Sequence, residues 1–235
     1  NHHGIRKPMI SYWKEKEKER SEEIMRRLLS GQSVALISDA GTPGISDPGA
    51  VIIRRAIQED VPVVSVPGPS SLIAALSVSG LPTETFTFWG FLPARRNQRR
   101  NLLSKAKLQE STHIFYEAPH RIVQSLQDMA DILRDRRIAL VKEITKLHEQ
   151  VLRGSVTEIL DAIREFPISG EYVIVVEGWC YKETSINEDV LSELRSFMRK
   201  GLGRKEAVQR VAAAYGLSKK ELYRRSLDES SDQIP

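Results

Sequence analysis

The chain has 235 residues, of which 40% are hydrophobic, and 35 Lys and Arg against 31 Asp and Glu give a formal net charge of +4. This composition can bury a core, and the length suits one or two domains with a small appendage. No apolar run approaches the roughly 18 residues of a membrane helix. The single cysteine excludes an internal disulfide, and no Cys/His cluster has metal-ligand spacing. We therefore expect a cytoplasmic protein with no metal and no membrane segment.

The first predicted element is an amphipathic helix. Residues 14–20, KEKEKER, form a charged run that we interpret as its solvated face. Gly31 is expected to end the helix. The apolar positions at helical spacing are Ile24, Met25, Leu28 and Leu29.

A strand and a long loop follow this helix. Residues 34–37 are a short apolar run bounded by turn residues, which is typical of a buried parallel strand. Residues 38–49, SDAGTPGISDPG, contain three glycines, two prolines and the carboxylates of Asp39 and Asp47. Connections from strand to helix usually have about 2–6 residues, so twelve favour a functional loop; an ordinary connection with an Asp N-cap is the alternative. Loops at the carboxyl ends of strands are where open α/β sheets bind ligands.

A second unit repeats this pattern. Residues 61–66 predict another buried strand, and PGPSS at 67–71 precedes a helix over 72–79. Ser70 or Ser71 is expected to cap that helix, whose free N–H groups would face the same rim. Neither loop matches G-x-G-x-x-G or the P-loop, so the standard dinucleotide and P-loop interpretations fail. The two loops together predict a site for a nucleotide-like ligand.

Strands and helices alternate over residues 84–181, which predicts a second α/β domain. The predicted strands are 85–91, 112–117, 137–142, 150–153 and 172–177. The predicted helices are 97–108, 119–133 and 157–166. Polar residues near 182–186 predict a linker.

The last part of the chain has a different character. Residues 187–227 contain ten Lys and Arg against five Asp and Glu, so they carry the excess positive charge of the chain. Three short helices are predicted, over 189–200, 204–215 and 218–226. Gly216 suits a tight turn and Ser218 a helix cap, which resembles a helix-turn-helix. We interpret this module as an appendage that contacts phosphates; a packing or dimerisation module is the alternative.

Several segments resemble one known family, the tetrapyrrole methylase superfamily of class III methyltransferases. Within it they are most similar to the ribosomal RNA small-subunit methyltransferases, and the resemblance covers about residues 1–227. Members open with a strand and a Pro/Gly loop, whereas this chain starts at Asn1, so we expect that first βα unit to be missing from it. The segments are SDAGTPGISDPG (38–49), VPGPSS (66–71), SGLP (79–82), GFLPAR (90–95), FYEAPHR (115–121) and EYVIVVEG (171–178).

The resemblance implies a fold and a cofactor. It implies two α/β domains, residues 1–83 and 84–181, with S-adenosylmethionine in the cleft between them, and a C-terminal three-helix module over 187–227. It also implies a homodimer. By position, the implied cofactor residues are Asp39, Ala40, Gly41, Thr42, Ser70, Ser71, Leu72 and Tyr116, with the surroundings of Val173 and Ile174 as the far wall.

The implied reaction is 2′-O-methylation of a cytidine in 16S ribosomal RNA on the small ribosomal subunit. A ribose hydroxyl needs a base, and candidates lie at strand ends: Glu117, His120, Lys142 and Glu143. We predict Glu117 or Lys142 as base or orienting residue, with His120 and Arg121 on phosphate or ribose. The alternatives are an ion pair with helix cap for Glu117 and Arg121, and a surface pair for Lys142 and Glu143.

A basic cluster suits an RNA substrate. Residues 94–107 contain six basic residues and no acidic one, whereas a solvated helix face usually mixes both signs. Two other hypotheses stay open: a small-molecule methyltransferase acting on a tetrapyrrole, and a nucleic-acid-binding regulator without activity. The predicted RNA contacts are Arg95, Arg96, Arg99, Arg100, Arg121, Lys219, Lys220 and Arg224.

Overall fold

The computed structural model describes residues 4–134, 136–165, 167–179, 186, 188–215 and 217–231, the last four by their backbone alone. The chain divides into two compact units, Asn1–Gly178 and Trp179–Pro235. The division of the first unit near residue 83 remains a prediction, and most of the predicted linker lies outside the described residues. Within the described ranges, no helix is both long enough and apolar enough to cross a bilayer.

Three helices form the first part of the first unit. A 3₁₀ turn, Lys14–Lys16, leads into α1, Glu17–Leu29, which is followed by α2, Ala50–Gln58, and α3, Ser71–Ser79. The apolar side of α1 packs on α2 through buried Ile24 and Met25, which confirms the predicted amphipathic helix. Leu29, by contrast, is 60% exposed.

The two predicted strands of this part are wrong. Residues 34–37 and 61–66 are extended but have no strand pairing among the described residues. Val64 and Val66 are 83% and 87% exposed. A strand exists only where a neighbouring backbone accepts its ladder of hydrogen bonds. An apolar pattern indicates that a segment tends to be buried, but it does not show whether a neighbouring strand is present to pair with it.

A mixed five-stranded sheet forms the centre of the described part of the first unit. Its order is β1-β2-β5-β3-β4, and β1 runs parallel to β2 whereas the other pairings are antiparallel. The α/β class is therefore confirmed, and each strand lies within two residues of its predicted bounds. The strands are β1 Phe86–Phe91, β2 Thr112–Glu117, β3 Arg137–Lys142, β4 Gln150–Ser155 and β5 Tyr172–Val176.

Both faces of the sheet are covered. Helices α4, Arg96–Ala106, α5, Ile122–Leu133, and α6, Val156–Ala162, pack on one face, and α3 packs on the other. Successive side chains of β3 point to opposite faces of the sheet, so this strand contributes to the core on both sides. Ile138 and Leu140 pack in the core beneath α4, α5 and α6, and Ala139 and Val141 pack in the core beneath α3.

The second unit is helical, with α7, Glu188–Arg199, α8, Arg204–Tyr215, and α9, Lys219–Ser231. Buried Leu194, Val211 and Leu222 belong to its core. The predicted cap at Ser218 is confirmed, since its Oγ accepts from the Glu221 N–H at 3.4 Å. The predicted turn at Gly216 lies outside the described residues.

Candidate active site

The strand directions bring three chain segments to one edge of the sheet. Because β5 runs antiparallel to β2 and β3, its first residue lies beside their last residues: Tyr172 pairs with Glu117 and with Lys142. Residues just after β2 and β3 therefore meet residues just before β5. The start of α3 packs over the same region of the sheet.

A cavity of about 640 Å³ opens at this edge. Its volume falls within the range of roughly 300–1,000 Å³ that is typical of small-molecule sites. The loop of residues 38–49 forms one wall, and Thr42 Oγ1 donates to the Pro69 carbonyl at 3.4 Å, which joins this loop to the second loop. The lining residues are 39–42, 45–47, 69–71, 74, 91, 116–119, 144–146 and 171–173.

The end of the first loop is fixed by a residue of the charged run. Glu17 Oε1 accepts from the N–H groups of Gly49 and Val51, at 2.9 and 3.2 Å, and so caps α2. Gly49 has φ +148°, and a Cβ there would lie 2.9 Å from the Leu36 side chain. Only glycine fits this position without strain. The sequence predicts a solvated face for this run, and Glu17 departs from that prediction by bonding to Gly49 and Val51.

Seven of the eight predicted cofactor residues line the cavity. They are Asp39, Ala40, Gly41, Thr42, Ser70, Ser71 and Tyr116. Leu72 does not line it, because α3 turns that side chain into the core, where it is 8% exposed. Val173 lines the far wall and Ile174 is fully buried on the other side of the strand. Ser70 occupies the predicted N-cap position of α3, but its side chain makes no cap hydrogen bond.

Tyr116 is held from two sides. Its hydroxyl lies 2.7 Å from Ser71 Oγ, which ties β2 to the first turn of α3. Phe88 and Phe91 both meet its ring edge-to-face, with ring centroids 4.9 and 5.5 Å away. Such pairs add about 0.5–1.5 kcal/mol beyond their buried area. The Tyr116 ring is therefore a rigid part of the cavity wall.

The cavity carries more acidic than basic side chains. Asp39, Asp47 and Glu171 line it, together with Lys146. Partial desolvation, followed by the charges of Asp39 and Glu171, raises the pKa of Asp47. Lys146 Nζ contacts Glu143 Oε1 and Glu171 Oε2 at 2.9 and 3.0 Å. Among the described residues, no group of three His, Cys, Asp or Glu side chains could hold a metal ion.

Glu117 lines the cavity, but its carboxylate already has three partners. Its carboxylate accepts from Ser125 Oγ at 2.5 Å and from the Ala118 N–H at 2.8 Å, and it pairs with Arg121 at 2.6 Å. The ion pair expected in the alternative for Glu117 and Arg121 is thus confirmed. Its helix cap is not, because neither the 3₁₀ turn Pro119–Arg121 nor α5 has a side-chain cap hydrogen bond. The Arg121 side chain is 17% exposed, which leaves little of its guanidinium for RNA.

The other three catalytic candidates lie outside the cavity wall. Lys142 Nζ donates to the Pro167 carbonyl at 2.8 Å, and His120 is exposed. The Glu143 carboxylate accepts from Lys146 Nζ and from the Glu171 N–H, both at 2.9 Å, so its ionic partner is Lys146 rather than Lys142. Hydrogen bonds from Lys146 and the Glu171 backbone lower the pKa of Glu143.

Sequence reasoning missed Phe91, Lys146 and Glu171 as cavity residues. Lys146 lies four residues beyond the end of β3 and could have been found by extending the strand-end rule. Glu171 precedes its strand, so a rule based on carboxyl ends overlooks it. Only the antiparallel direction of β5 brings Glu171 to this edge.

The basic cluster is partly neutralised by a neighbouring helix. Arg99 is 2% exposed, and its Nε and Nη2 donate to Asp128 Oδ2 at 2.9 and 2.7 Å. Its predicted RNA contact is therefore wrong. Arg96 and Arg100 also bond to Asp128, from side chains that are 67% and 35% exposed. Residues 94–107 contain no acid, and the acidic partner of these three arginines, Asp128, lies on α5, 28 to 32 residues further along the chain.

Other predicted RNA contacts are on the surface. Arg95 is exposed, with no ion pair among the described residues. Lys219 and Lys220 are exposed in the first turn of α9, where the free N–H groups of the helix add positive potential. Arg224 is 70% exposed and pairs with Glu221 at 2.7 Å. Among the described residues, each unit therefore has exposed basic side chains.

Known proteins resemble this chain over most of its length. Residues 6–160 match the family model for tetrapyrrole (corrin/porphyrin) methylases. The ribosomal RNA small subunit methyltransferase I of Xylella fastidiosa is 42% identical over 226 residues, 94% of this chain and 82% of that protein. The proteins of that name from Synechocystis and Halalkalibacterium halodurans are 38% and 37% identical, over 98% and 95% of this chain and 84% and 79% of theirs.

Solved structures share the fold at much lower identity. Diphthine synthase superposes with a TM-score of 0.57 at 16% identity, covering 72% of this chain and 68% of that one. The methyltransferase CobJ gives 0.51 at 15% identity, covering 68% and 70%. At such identities the likeness concerns the fold alone.

Proposed function

This chain belongs to the tetrapyrrole methylase family, whose reaction is methyl transfer, and we propose that it methylates ribosomal RNA of the small subunit. The proposed acceptor is the 2′-hydroxyl of a cytidine in 16S ribosomal RNA, on the assembled subunit, and the proposed donor is S-adenosylmethionine. Such a substrate implies a cytoplasmic location.

The observation that carries the proposal is the extent of the similarity. The family model ends at residue 160, whereas the relatives named as ribosomal RNA methyltransferases match 226–234 residues. The matched length therefore includes most of the basic helical unit, which a small-molecule methylase would not need. Exposed lysines on that unit suit contacts to phosphates, which position a protein on RNA without reading its sequence.

The cavity fits the proposed donor. The sulfonium and the α-ammonium group of the donor outweigh its one α-carboxylate, so the donor is a net cation. Among the described lining residues, the carboxylates of Asp39, Asp47 and Glu171 outnumber the ammonium group of Lys146. When bound, the donor supplies an electrophilic methyl group on sulfur. We assign the loop residues 39–42, Ser70 and Ser71 to holding it, through backbone groups and hydroxyls that hydrogen-bond without adding charge.

The chain must also align and deprotonate the acceptor hydroxyl. Alignment of the oxygen with the methyl group and the leaving sulfur supplies part of the rate enhancement. Glu117 and Glu143 act as positioning residues, because their carboxylates hold Ala118 and Lys146 in the wall. Neither Lys142 nor His120 lies in that wall, so we assign neither of them as the base. The base is a lining carboxylate, with Asp39, Asp47 and Glu171 as the candidates.

The test is methylation by the full-length protein. Small subunits from a strain that lacks the enzyme are incubated with methyl-labelled S-adenosylmethionine, and the RNA is digested to nucleosides. We expect label in 2′-O-methylcytidine. One of the variants Asp39→Asn, Asp47→Asn and Glu171→Gln is expected to lose this label by a larger factor than it loses affinity for the donor. Label in another nucleoside would overturn the assigned acceptor. No label in RNA, with label in a tetrapyrrole supplied in a parallel reaction, would overturn the RNA substrate. The homodimer remains a prediction, which light scattering checks.

A further inference from the structure

An exposed aromatic ring lines the cavity at the end of β1. The Phe91 side chain is 54% exposed, although most side chains of its size and polarity are buried. A single exposed ring on a protein surface is ordinary. This one differs because it stands in the wall of the candidate active site.

A bulge in β1 turns this ring toward the cavity. Phe88 and Phe91 are an odd number of residues apart, so a regular strand would place them on opposite faces of the sheet. Both rings nevertheless contact Tyr116. The pairing of β1 with β2 shifts register between Phe88 and Phe91, and Gly90 has φ +70°. Bulges often re-aim a side chain beside an active site.

The ring is supported from behind. Its edge-to-face contact is with Tyr116, which Phe88 and the Ser71 hydroxyl already fix in place. Phe91 therefore ends a row of three aromatic rings of which it is the most exposed. A flat, immobilised ring open to a cavity is suited to stacking with a planar ligand, because little conformational freedom is lost on binding.

The neighbouring residues favour one planar ligand. Arg95 and Arg96 follow Phe91 closely, so the Cα atom of Arg95 lies at most about 14 Å from that of Phe91. Arg95 is exposed, and the Arg96 side chain is 67% exposed. A base in an RNA strand presents a ring and flanking phosphates together, whereas the adenosine of the donor has no phosphate. Single-stranded RNA bases are commonly splayed out and stacked on aromatic side chains.

We propose that Phe91 is the platform on which the base of the methylated nucleotide stacks, with Arg95 and Arg96 on its flanking phosphates. This inference rests on the proposed function and deepens it, because it assigns the acceptor side of the cavity. The target nucleotide leaves its stack, lies on the Phe91 ring and presents its ribose hydroxyl to the donor. Such a platform accepts any of the four RNA bases, since every base has a flat face.

The test compares four variants of the full-length protein on small subunits. Phe91→Ala and Phe91→Leu are expected to lose about 5- to 150-fold in kcat/KM, in line with the stacking of one base. Phe91→Tyr is expected to keep most of it. Phe86→Ala is the matched control, because Phe86 is 40% exposed on the same strand and does not line the cavity. The Kd of the donor, measured by calorimetry, is expected to stay within twofold in all four.

Each contrary result has a distinct meaning. Unchanged kcat/KM in Phe91→Ala would overturn the platform, as would equal activity in the leucine and tyrosine variants, which indicates simple apolar packing. A weakened Kd for the donor, matching the loss in kcat/KM, would assign the ring to the donor's adenine instead. Failure of the unsubstituted protein to methylate RNA would count against the proposed function itself. Phe91→Leu and Phe91→Tyr keep a large apolar side chain, so the comparison survives if Phe91→Ala does not fold.

Discussion

At the scale of single residues, Asp128 organises the surface that follows β1. It is 1% exposed, and its carboxylate accepts from Arg96, Arg99 and Arg100. A buried guanidinium such as that of Arg99 is tolerable only with such a partner. Asp128 thus fixes the start of α4 against α5 and, with it, the position of exposed Arg96.

Replacing this carboxylate is expected to destabilise the first unit. Asp128→Asn leaves the buried Arg99 charge uncompensated and should lower the free energy of unfolding by roughly 3–5 kcal/mol, measured in urea. The matched control is Asp131→Asn, which removes a partner that is 41% exposed and should change that free energy by about 0–1 kcal/mol. Equal losses in the two variants would contradict the role of Asp128.

The stability difference between the original protein and Asp128→Asn should depend on pH. Burial alone would raise the pKa of Asp128, but hydrogen bonds from Arg100, Arg99 and Arg96 outweigh it and hold the pKa below its usual value. When folding lowers the pKa of a carboxylate, the group stabilises the folded state fully at any pH above its unfolded pKa, near 3.9. That stabilisation is lost as the pH falls through the pKa of the folded state. The difference in stability between the original protein and Asp128→Asn should therefore be constant near pH 7 and shrink below about pH 4. A difference that stays constant down to pH 2 would contradict this.

At the scale of elements, two helices in the same unit begin in different ways. The N-terminus of α6 has a capping box: Ser155 Oγ accepts from the Glu158 N–H at 3.2 Å, and Glu158 Oε2 accepts from the Ser155 N–H at 2.7 Å. Ser70 at the N-terminus of α3 has extended backbone and no such bond. The free N–H groups of α3 face the cavity loops, where a ligand can use them.

Serine-to-alanine substitutions should distinguish the capped N-terminus of α6 from the uncapped N-terminus of α3. Ser155→Ala is expected to lower the free energy of unfolding by about 0.5–2 kcal/mol, because α6 loses its cap. Ser70→Ala should change it by less than about 0.5 kcal/mol. Urea denaturation without ligand measures both. A similar cost for both would mean that Ser70 caps α3 in solution.

At the scale of the molecule, the sheet and the preceding extended segments differ in backbone pairing. Strand β3 is paired on both sides, with β4 and β5. The amides of residues 63–66 have no backbone hydrogen bond within the described part of the chain. Local stability should therefore differ sharply across the first unit.

Hydrogen exchange measures this difference. In this chain of 235 residues, amides 63–66 are expected to exchange within seconds, whereas those of Ala139 and Val141 exchange only through large opening of the sheet. Mass spectrometry with peptides spanning each segment reports both. Strong protection of residues 63–66 would show that they pair as the sequence pattern predicts.

The amino-acid sequence by itself determined the local elements and the loops that matter. The bounds of β2, β3 and α8 were predicted to the residue, because clear hydrophobic periodicity and turn residues define them. The Gly- and Pro-rich loops pointed to the cavity, because such composition is needed where the backbone surrounds a ligand. The tertiary structure decided everything that depends on a distant partner. Within the described residues it left 34–37 and 61–66 without strand pairing. It also brought Asp128 into contact with the arginines of α4, and Glu171 beside the ends of β2 and β3. Pairing, ion-pair geometry and strand direction arise between segments far apart in the chain, and a local pattern does not encode them.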